Sequence, residues 1–211
     1  MTTIPPFLRN FSLEDKTVIL TGGTGGIGLG LCQALAESGA DVVSLQLPTE
    51  PTEIKDVIEK AGKKCTIYHS KLQGIGYRAH RRPASNRKII NFASISSFQG
   101  NIENVAYAAS KGAVLNMTRG MSNEWAPHGI NVNAVAPGYT KSRMTEKVYS
   151  NAAFNEKLFK GIPAKRWGEA KYLASACVYL ASPASDYVTG HCLVVDGGIL
   201  GGPPIVHRDE A

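Results

Sequence analysis

Apolar residues along this chain come in short bursts separated by polar, glycine-rich breaks, and the bursts alternate between two periodicities. Residues 16–21, Lys16-Thr17-Val18-Ile19-Leu20-Thr21, are β-branched and apolar and predict a buried first strand. Leu31, Ala34 and Leu35 then recur at helical spacing until Gly39 supplies a stop. Residues 41–46 predict a second strand, Ile54, Val57 and Ile58 form the stripe of a helix over 51–62, and 64–69 predict a third strand. Residues 70–87 carry no apolar period, and their glycines, Pro83 and basic residues predict an irregular loop. Residues 88–93 read as a further buried strand, followed by a helix that begins near Ala106, and 129–136 as another strand. Strands that alternate with helices predict an α/β domain built on a parallel sheet.

The first break has a chemical meaning of its own. Thr21-Gly22-Gly23-Thr24-Gly25-Gly26-Ile27-Gly28 joins the first strand directly to the first helix. Glycines let a backbone approach a pyrophosphate closely, and a helix N-terminus offers unpaired N–H groups to the anion. The order strand, glycine turn, helix predicts a Rossmann-like, doubly wound sheet with a dinucleotide held by Thr21, Gly22, Thr24, Gly26, Ile27 and Gly28. The end of the second strand, where an acid usually meets the ribose hydroxyls of NAD, holds the neutral Gln46. A 2′-phosphate is neither excluded nor recruited there, so the cofactor is read as NADP or NAD, with NADP slightly favoured.

A second constellation follows the strand at 88–93. Tyr107 and Lys111 are four apart and share a helix face. Ser94 precedes the tyrosine at the carboxyl end of the strand, where open α/β sheets place reacting groups. A nearby ammonium favours the phenolate of a tyrosine, and a serine hydroxyl can hold the oxygen on which the tyrosine acts as acid or base. Ser94, Tyr107 and Lys111 are therefore the candidate catalytic residues.

Composition narrows the picture only slightly. The 211 residues suit one domain, 43% are apolar and 19% charged, and no apolar run is long enough to span a bilayer. The N-terminus has no charged-then-apolar signal pattern, and a cytoplasmic location is expected. Cys32, Cys65, Cys177 and Cys192 are scattered without metal-ligand spacing and read as reduced thiols; no metal site is expected. The net charge of +6 is local, because no Asp or Glu lies between Lys60 and Ile102 while nine Lys and Arg do. Nucleic-acid binding through that segment is disfavoured, since no aromatic interleaving or known motif accompanies it.

Together these features resemble the short-chain dehydrogenase/reductase family. The resemblance rests on Thr21-Gly22-x-x-x-Gly26-x-Gly28, on Ser94, Tyr107 and Lys111, on Pro137-Gly138 after the strand at 129–136, and on Val195-Asp196-Gly197-Gly198. The segments 92–100, 123–126 and 162–168 are similar to the 2-deoxy-gluconate 3-dehydrogenase and sugar or polyol reductase branch. The resemblance implies that Tyr107 donates or accepts the proton, that Lys111 assists it and contacts the nicotinamide ribose, and that Ser94 holds the substrate oxygen. Pro137, Gly138 and Thr140 would face the nicotinamide carboxamide, Ser142 would lie near the phosphates, and residues 141–161 would form a mobile lid. The implied reaction interconverts a secondary alcohol and a ketone, on a sugar- or polyol-like substrate or on an intermediate of secondary metabolism.

One expectation departs from the family pattern. The eighteen residues 70–87 are too few for a crossover helix, a fourth strand and a second crossover helix, since each parallel crossover needs about a dozen. The sheet is therefore expected to lack its fourth strand and the adjoining helices, through a gene-model or splicing product, a natural shortening or decay. The alternative function is accordingly a truncated, catalytically inactive relative. The organisation expected is one domain over 1–211, with an arm at 1–15 and a tail at 199–211. A homo-oligomer through the helix holding Tyr107, Val114, Leu115, Met117, Met121 and Trp125 is expected to be weakened by the missing companion helix.

Overall fold

Strands and helices alternate along the chain in a computed structural model, which describes residues 5–69, 87–100 and 102–202. The strands are β1 (Thr17–Thr21), β2 (Asp41–Gln46), β3 (Cys65–His69), β4 (Arg87–Phe92), β5 (Ile130–Pro137) and β6 (Cys192–Val195). The helices are α1 (Gly26–Glu37), α2 (Ile54–Lys60), α3 (Val105–Trp125), α4 (Glu146–Tyr149), α5 (Ala152–Lys160) and α6 (Ala170–Ala181), with short 3-10 turns between them. The elements expected from periodicity are present, with ends that move by one to three residues.

All strand pairs among the described residues are parallel, and they form two three-stranded sheets, β1-β2-β3 and β4-β5-β6. Among these residues β1 and β4 share no ladder. The reading of β1 as buried is corrected, since Thr17 and Thr21 are exposed and Ile19 is 66% exposed. A strand paired on one side only leaves part of its surface to solvent, and β-branched composition alone does not reveal this. The predicted irregular loop and the expected loss of a fourth strand concern residues 70–87, of which 70–86 lie outside the described residues.

The two sheets are joined through their helices. Leu31 of α1 and Leu173, Cys177 and Leu180 of α6 form one buried cluster with Val135 of β5, and Leu20 of β1 and Ile90 and Phe92 of β4 pack against it. Each such leucine, fully buried, contributes about 1.5–3 kcal/mol. A second cluster lies between α1, α2 and β2, around Cys32, Val42, Ile54 and Ile58. Leu13, expected in an outlying arm, is fully buried beside Leu35 and Ala40, so the arm contributes to the core.

Helix α3 buries Leu115, Thr118, Met121, Ser122 and Trp125 at helical spacing. Met121 and Trp125 pack against Val132 of β5, and Val114 packs against Ala93, Ala134 and Ala136. Of the apolar residues expected to offer an oligomer surface, Leu115, Met121 and Trp125 are thus covered within the chain, and Met117 is 45% exposed. No helix among the described residues is long and apolar enough to cross a membrane.

At the start of β4 the Lys88 side chain, only 8% exposed, donates to Asn131 Oδ1 at 3.0 Å and pairs with Asp186 Oδ1 at 2.7 Å. Removing the acid would leave a largely buried ammonium with one neutral acceptor. Asp186→Asn is expected to lower stability by about 1–3 kcal/mol, read as an earlier denaturant midpoint at unchanged slope.

Candidate active site

The glycine turn owes its shape to contacts that a side chain would block. Gly22 adopts a left-handed conformation at φ +70°, and a Cβ on Gly28 would lie 2.0 Å from the Gly22 carbonyl oxygen. Backbone therefore packs on backbone at the first turn of α1, and its amides stay close to the surface where a phosphate can approach. The hydroxyls of Thr21 and Thr24 and the side chain of Ile27 flank this turn by sequence. A Cβ on Gly26 would meet Arg143 N at 3.3 Å and Ser142 Cα at 3.6 Å, so the turn lies against residues 142–143 from the far half of the chain. The structure thus brings Ser142 to the glycine turn, as expected for a group near the phosphates.

Ser142 has a local task as well. Its hydroxyl accepts the Thr145 N–H at 3.3 Å while Thr145 Oγ1 accepts the Ser142 N–H at 2.9 Å, a reciprocal cap on a short turn. Thr145 Oγ1 also lies 2.8 Å from the Thr140 carbonyl, and Thr140 Oγ1 donates to the Gly138 carbonyl at 3.3 Å. Pro137 at the end of β5, with Gly138, Thr140 and Ser142 beyond it, forms one continuous wall. Gly138 N–H donates to Val195 O and Lys141 N–H to Gly168 O, which fixes that wall to β6 and to the start of α6.

The catalytic candidates gather at the carboxyl end of β4. Lys111 Nζ donates to the Phe92 carbonyl at 2.8 Å and lies 5.7 Å from the centre of the Tyr107 ring. Tyr107 is 44% exposed, so its phenol is open to an incoming ligand. Ser94 is buried; its Oγ accepts the Ser96 N–H at 3.1 Å, and Ser97 Oγ accepts the Ser94 N–H at 3.3 Å. An acceptor role for Ser94 Oγ is filled, while its proton has no acceptor among the described residues and can be given to a substrate oxygen. Ser97 Oγ in turn donates to the Lys111 carbonyl at 2.7 Å, binding this turn to α3.

Residues 141–161, expected as a lid, form a 3-10 turn, α4 and α5. They are joined to the body through Trp167, which donates from Nε1 to Asn155 Oδ1 at 2.9 Å and meets Tyr139 and Tyr149 edge-on at 5.6 and 5.9 Å. A cavity of about 390 Å³ opens nearby, lined by residues that include Tyr139, Arg166, Tyr172 and Asp196 but none of the catalytic three.

Comparison with known proteins bears on the whole arrangement. The short chain dehydrogenase family matches residues 16–74, and the enoyl-(acyl carrier protein) reductase family matches residues 76–200. The 2-dehydro-3-deoxy-D-gluconate 5-dehydrogenase of Bacillus subtilis is 36% identical over 245 residues, covering 90% of this chain and 96% of that protein.

The chain belongs to the short-chain dehydrogenase/reductase family.

It is therefore an oxidoreductase by family. A solved structure from Agrobacterium tumefaciens, described as a 2-deoxy-D-gluconate 3-dehydrogenase with bound NADP, is 33% identical with a TM-score of 0.80, covering 92% of this chain and 99% of that one. A gluconate 5-dehydrogenase from Burkholderia cenocepacia, in complex with NADP and tartrate, is 28% identical with a TM-score of 0.81, covering 93% and 99%. The inactive alternative finds no support among these relatives.

Sequence reasoning did not single out several residues that structure the candidate site. Ser97 and Trp167 act through bonds to Lys111 and Asn155, distant in sequence, while Thr145 bonds the nearby Thr140 and Ser142; the spacings Ser94-x-x-Ser97 and Ser142-x-x-Thr145 are the local signals that could have found two of them. Just beyond β2, Glu50 Oε2 accepts the Leu47 N–H at 3.0 Å. Gln46, expected to face the cofactor, is 2% exposed and turned inward. It accepts from Ser44 Oγ at 3.0 Å and donates to the Pro51 carbonyl at 3.1 Å. Its buried side chain, bonded to Ser44 and Pro51, differs from the exposed position expected for Gln46 at the cofactor site.

The four cysteines are free thiols. Burial pushes Cys32 up to about 12, with the neighbouring Cys65 adding to the effect, and burial alone pushes Cys177 up to about 12. Both stay protonated at pH 8 and are poor nucleophiles. Brief alkylation of the native protein at pH 8 is expected to spare Cys32 and Cys177, with full labelling after denaturation, read by peptide mass. Gly28→Ala is expected to lower stability by roughly 1–3 kcal/mol and to abolish any rise in melting temperature given by NADH or NADPH.

Proposed function

We propose that this chain interconverts a secondary alcohol and a ketone on a sugar-acid-like substrate, using a nicotinamide dinucleotide, NADP or NAD. The observation that carries the reading is the cluster at the end of β4, where Lys111 Nζ lies beside the Tyr107 ring and Ser94 retains a proton to donate. The turn from Gly22 to Gly28 suits the cofactor, since nothing lies within 4 Å of where a Cβ on Gly22 or Gly25 would stand, which leaves room for a pyrophosphate beside the turn. When bound, the dinucleotide supplies or accepts the hydride.

Each residue then has a definite task. Ser94 Oγ donates to the substrate oxygen and orients the reacting carbon. Tyr107 takes the hydroxyl proton during oxidation and returns it during reduction. The ammonium of Lys111 stabilises negative charge on the phenolic oxygen during the transfer, and its bond to the Phe92 carbonyl holds it in place. The wall from Pro137 to Ser142 closes the opposite side, tied to the glycine turn at Gly26. The sugar-acid class is supported by relatives named for gluconate and its keto and deoxy derivatives.

The shortened sheet belongs to the same proposal. The alignment with the Bacillus subtilis relative runs over 245 residues although this chain has 211, so that relative carries residues without a counterpart here. Among the described residues β1 and β4 each pair on one side only, which supports a gap at that point.

Tyr107→Phe is expected to reduce kcat by about 10²–10⁴ with gluconate or 5-keto-gluconate as test substrate, while dinucleotide affinity changes little. Retention of wild-type turnover would remove Tyr107 from the proton-transfer role. Lys111→Met is expected to impair both turnover and dinucleotide affinity.

A further inference from the structure

No residue of α4, of α5 or of the 3-10 turn before them is buried. Met144, Val148 and Phe154 are all exposed. A helix pair without a buried side chain takes little of its position from the hydrophobic core, so its placement depends on the few polar and aromatic ties that reach it.

Both ends of this segment are fixed beside the candidate site. Pairing of β4 with β5 sets Phe92 opposite Val135, so the wall that starts at Pro137 rises beside Ser94. At residues 142–143 the same wall meets the glycine turn at Gly26. The chain then runs through α4 and α5 and returns to the wall at Gly168, whose N–H donates to the Tyr139 carbonyl at 2.8 Å and whose carbonyl accepts the Lys141 N–H at 2.9 Å.

The ties between segment and wall converge on two side chains. Trp167, next to Gly168 and 5% exposed, donates from Nε1 to Asn155 Oδ1 at 2.9 Å. Asn155 Nδ2 donates in turn to the Tyr149 carbonyl at 2.7 Å, so one amide links α5 to the end of α4 and to the indole. The Trp167 ring meets Tyr139 of the wall and Tyr149 of α4 edge-on. Lys165 adds one bond of its own, from Nζ to the Phe159 carbonyl at 2.9 Å. Both polar atoms of the Asn155 side chain are thus engaged within the protein, in holding the segment together.

We propose that Asn155, acting through Trp167, is a positioning residue for the reaction: the pair fixes α4 and α5 beside the substrate site before substrate arrives, and so sets substrate affinity. The proposal rests on the reading of the chain as an oxidoreductase with its catalytic cluster at the end of β4. A substrate held by Ser94 and Tyr107, facing a dinucleotide at the glycine turn, lies in the space that this segment borders. With the segment already placed, substrate binding does not bear the cost of ordering it. Neither Asn155 nor Trp167 takes part in hydride or proton transfer.

The test is steady-state kinetics with gluconate and 5-keto-gluconate at saturating dinucleotide, on wild type, Asn155→Ala, Trp167→Phe and Glu156→Gln, with dinucleotide affinity followed separately by nicotinamide fluorescence. Because α5 carries no buried residue, Asn155→Ala is expected to keep the wild-type melting temperature. Trp167→Phe removes the same bond from its other end while retaining a ring between the two tyrosines. Both variants are expected to raise KM for the sugar acid about tenfold, with kcat within about twofold and dinucleotide affinity unchanged, the pattern of lost ground-state binding. The double variant is expected to raise KM by less than the product of the two single effects, since both remove one bond. Glu156→Gln, the exposed neighbour of Asn155, is expected to leave KM unchanged. Wild-type KM in both Asn155→Ala and Trp167→Phe, a comparable loss of kcat or of dinucleotide affinity, or an equal rise of KM in Glu156→Gln overturns the positioning role and leaves the oxidoreductase reading standing. Absence of turnover by the wild type with either substrate overturns both together.

Discussion

The hydrogen bond from Lys111 Nζ to the Phe92 carbonyl fastens the long helix to the end of the strand that precedes it, and the geometry of the catalytic cluster depends on that junction. Phe92 ends β4, Ser94 follows two residues later, and Tyr107 lies one helical turn before Lys111. With the ammonium held at the carbonyl, the Tyr107 ring lies 5.7 Å from Lys111 Nζ. The Ser97 hydroxyl completes the clamp by donating to the Lys111 carbonyl. Four side chains and one strand end thus form a unit whose parts are separated by up to nineteen residues in sequence.

The rest of the site is assembled from the far half of the chain. The glycine turn after β1 meets residues 142–143, and the wall beyond β5 is held by Val195 and Gly168. These contacts bridge two sheets that share no ladder among the described residues, and the core that α1 and α6 build with Leu20, Ile90, Phe92 and Val135 keeps them in place. Stability of the nucleotide cradle and of the catalytic cluster is consequently coupled through helix packing. Strand pairing, which usually carries that coupling in an open parallel sheet, contributes only within each half.

The sequence by itself determined the alternation of strands and helices, because β-branched runs and helical apolar stripes report local burial directly. It also marked the candidate residues of the cluster, since strand, glycine turn and helix, and a Tyr and Lys four apart, are short-range patterns. The exposed face of β1, the inward turn of Gln46, the burial of Leu13 and the covering of Leu115, Met121 and Trp125 were decided only by the tertiary structure. Each depends on which surfaces meet across long sequence separations, and a residue's own neighbours in the chain carry no record of that.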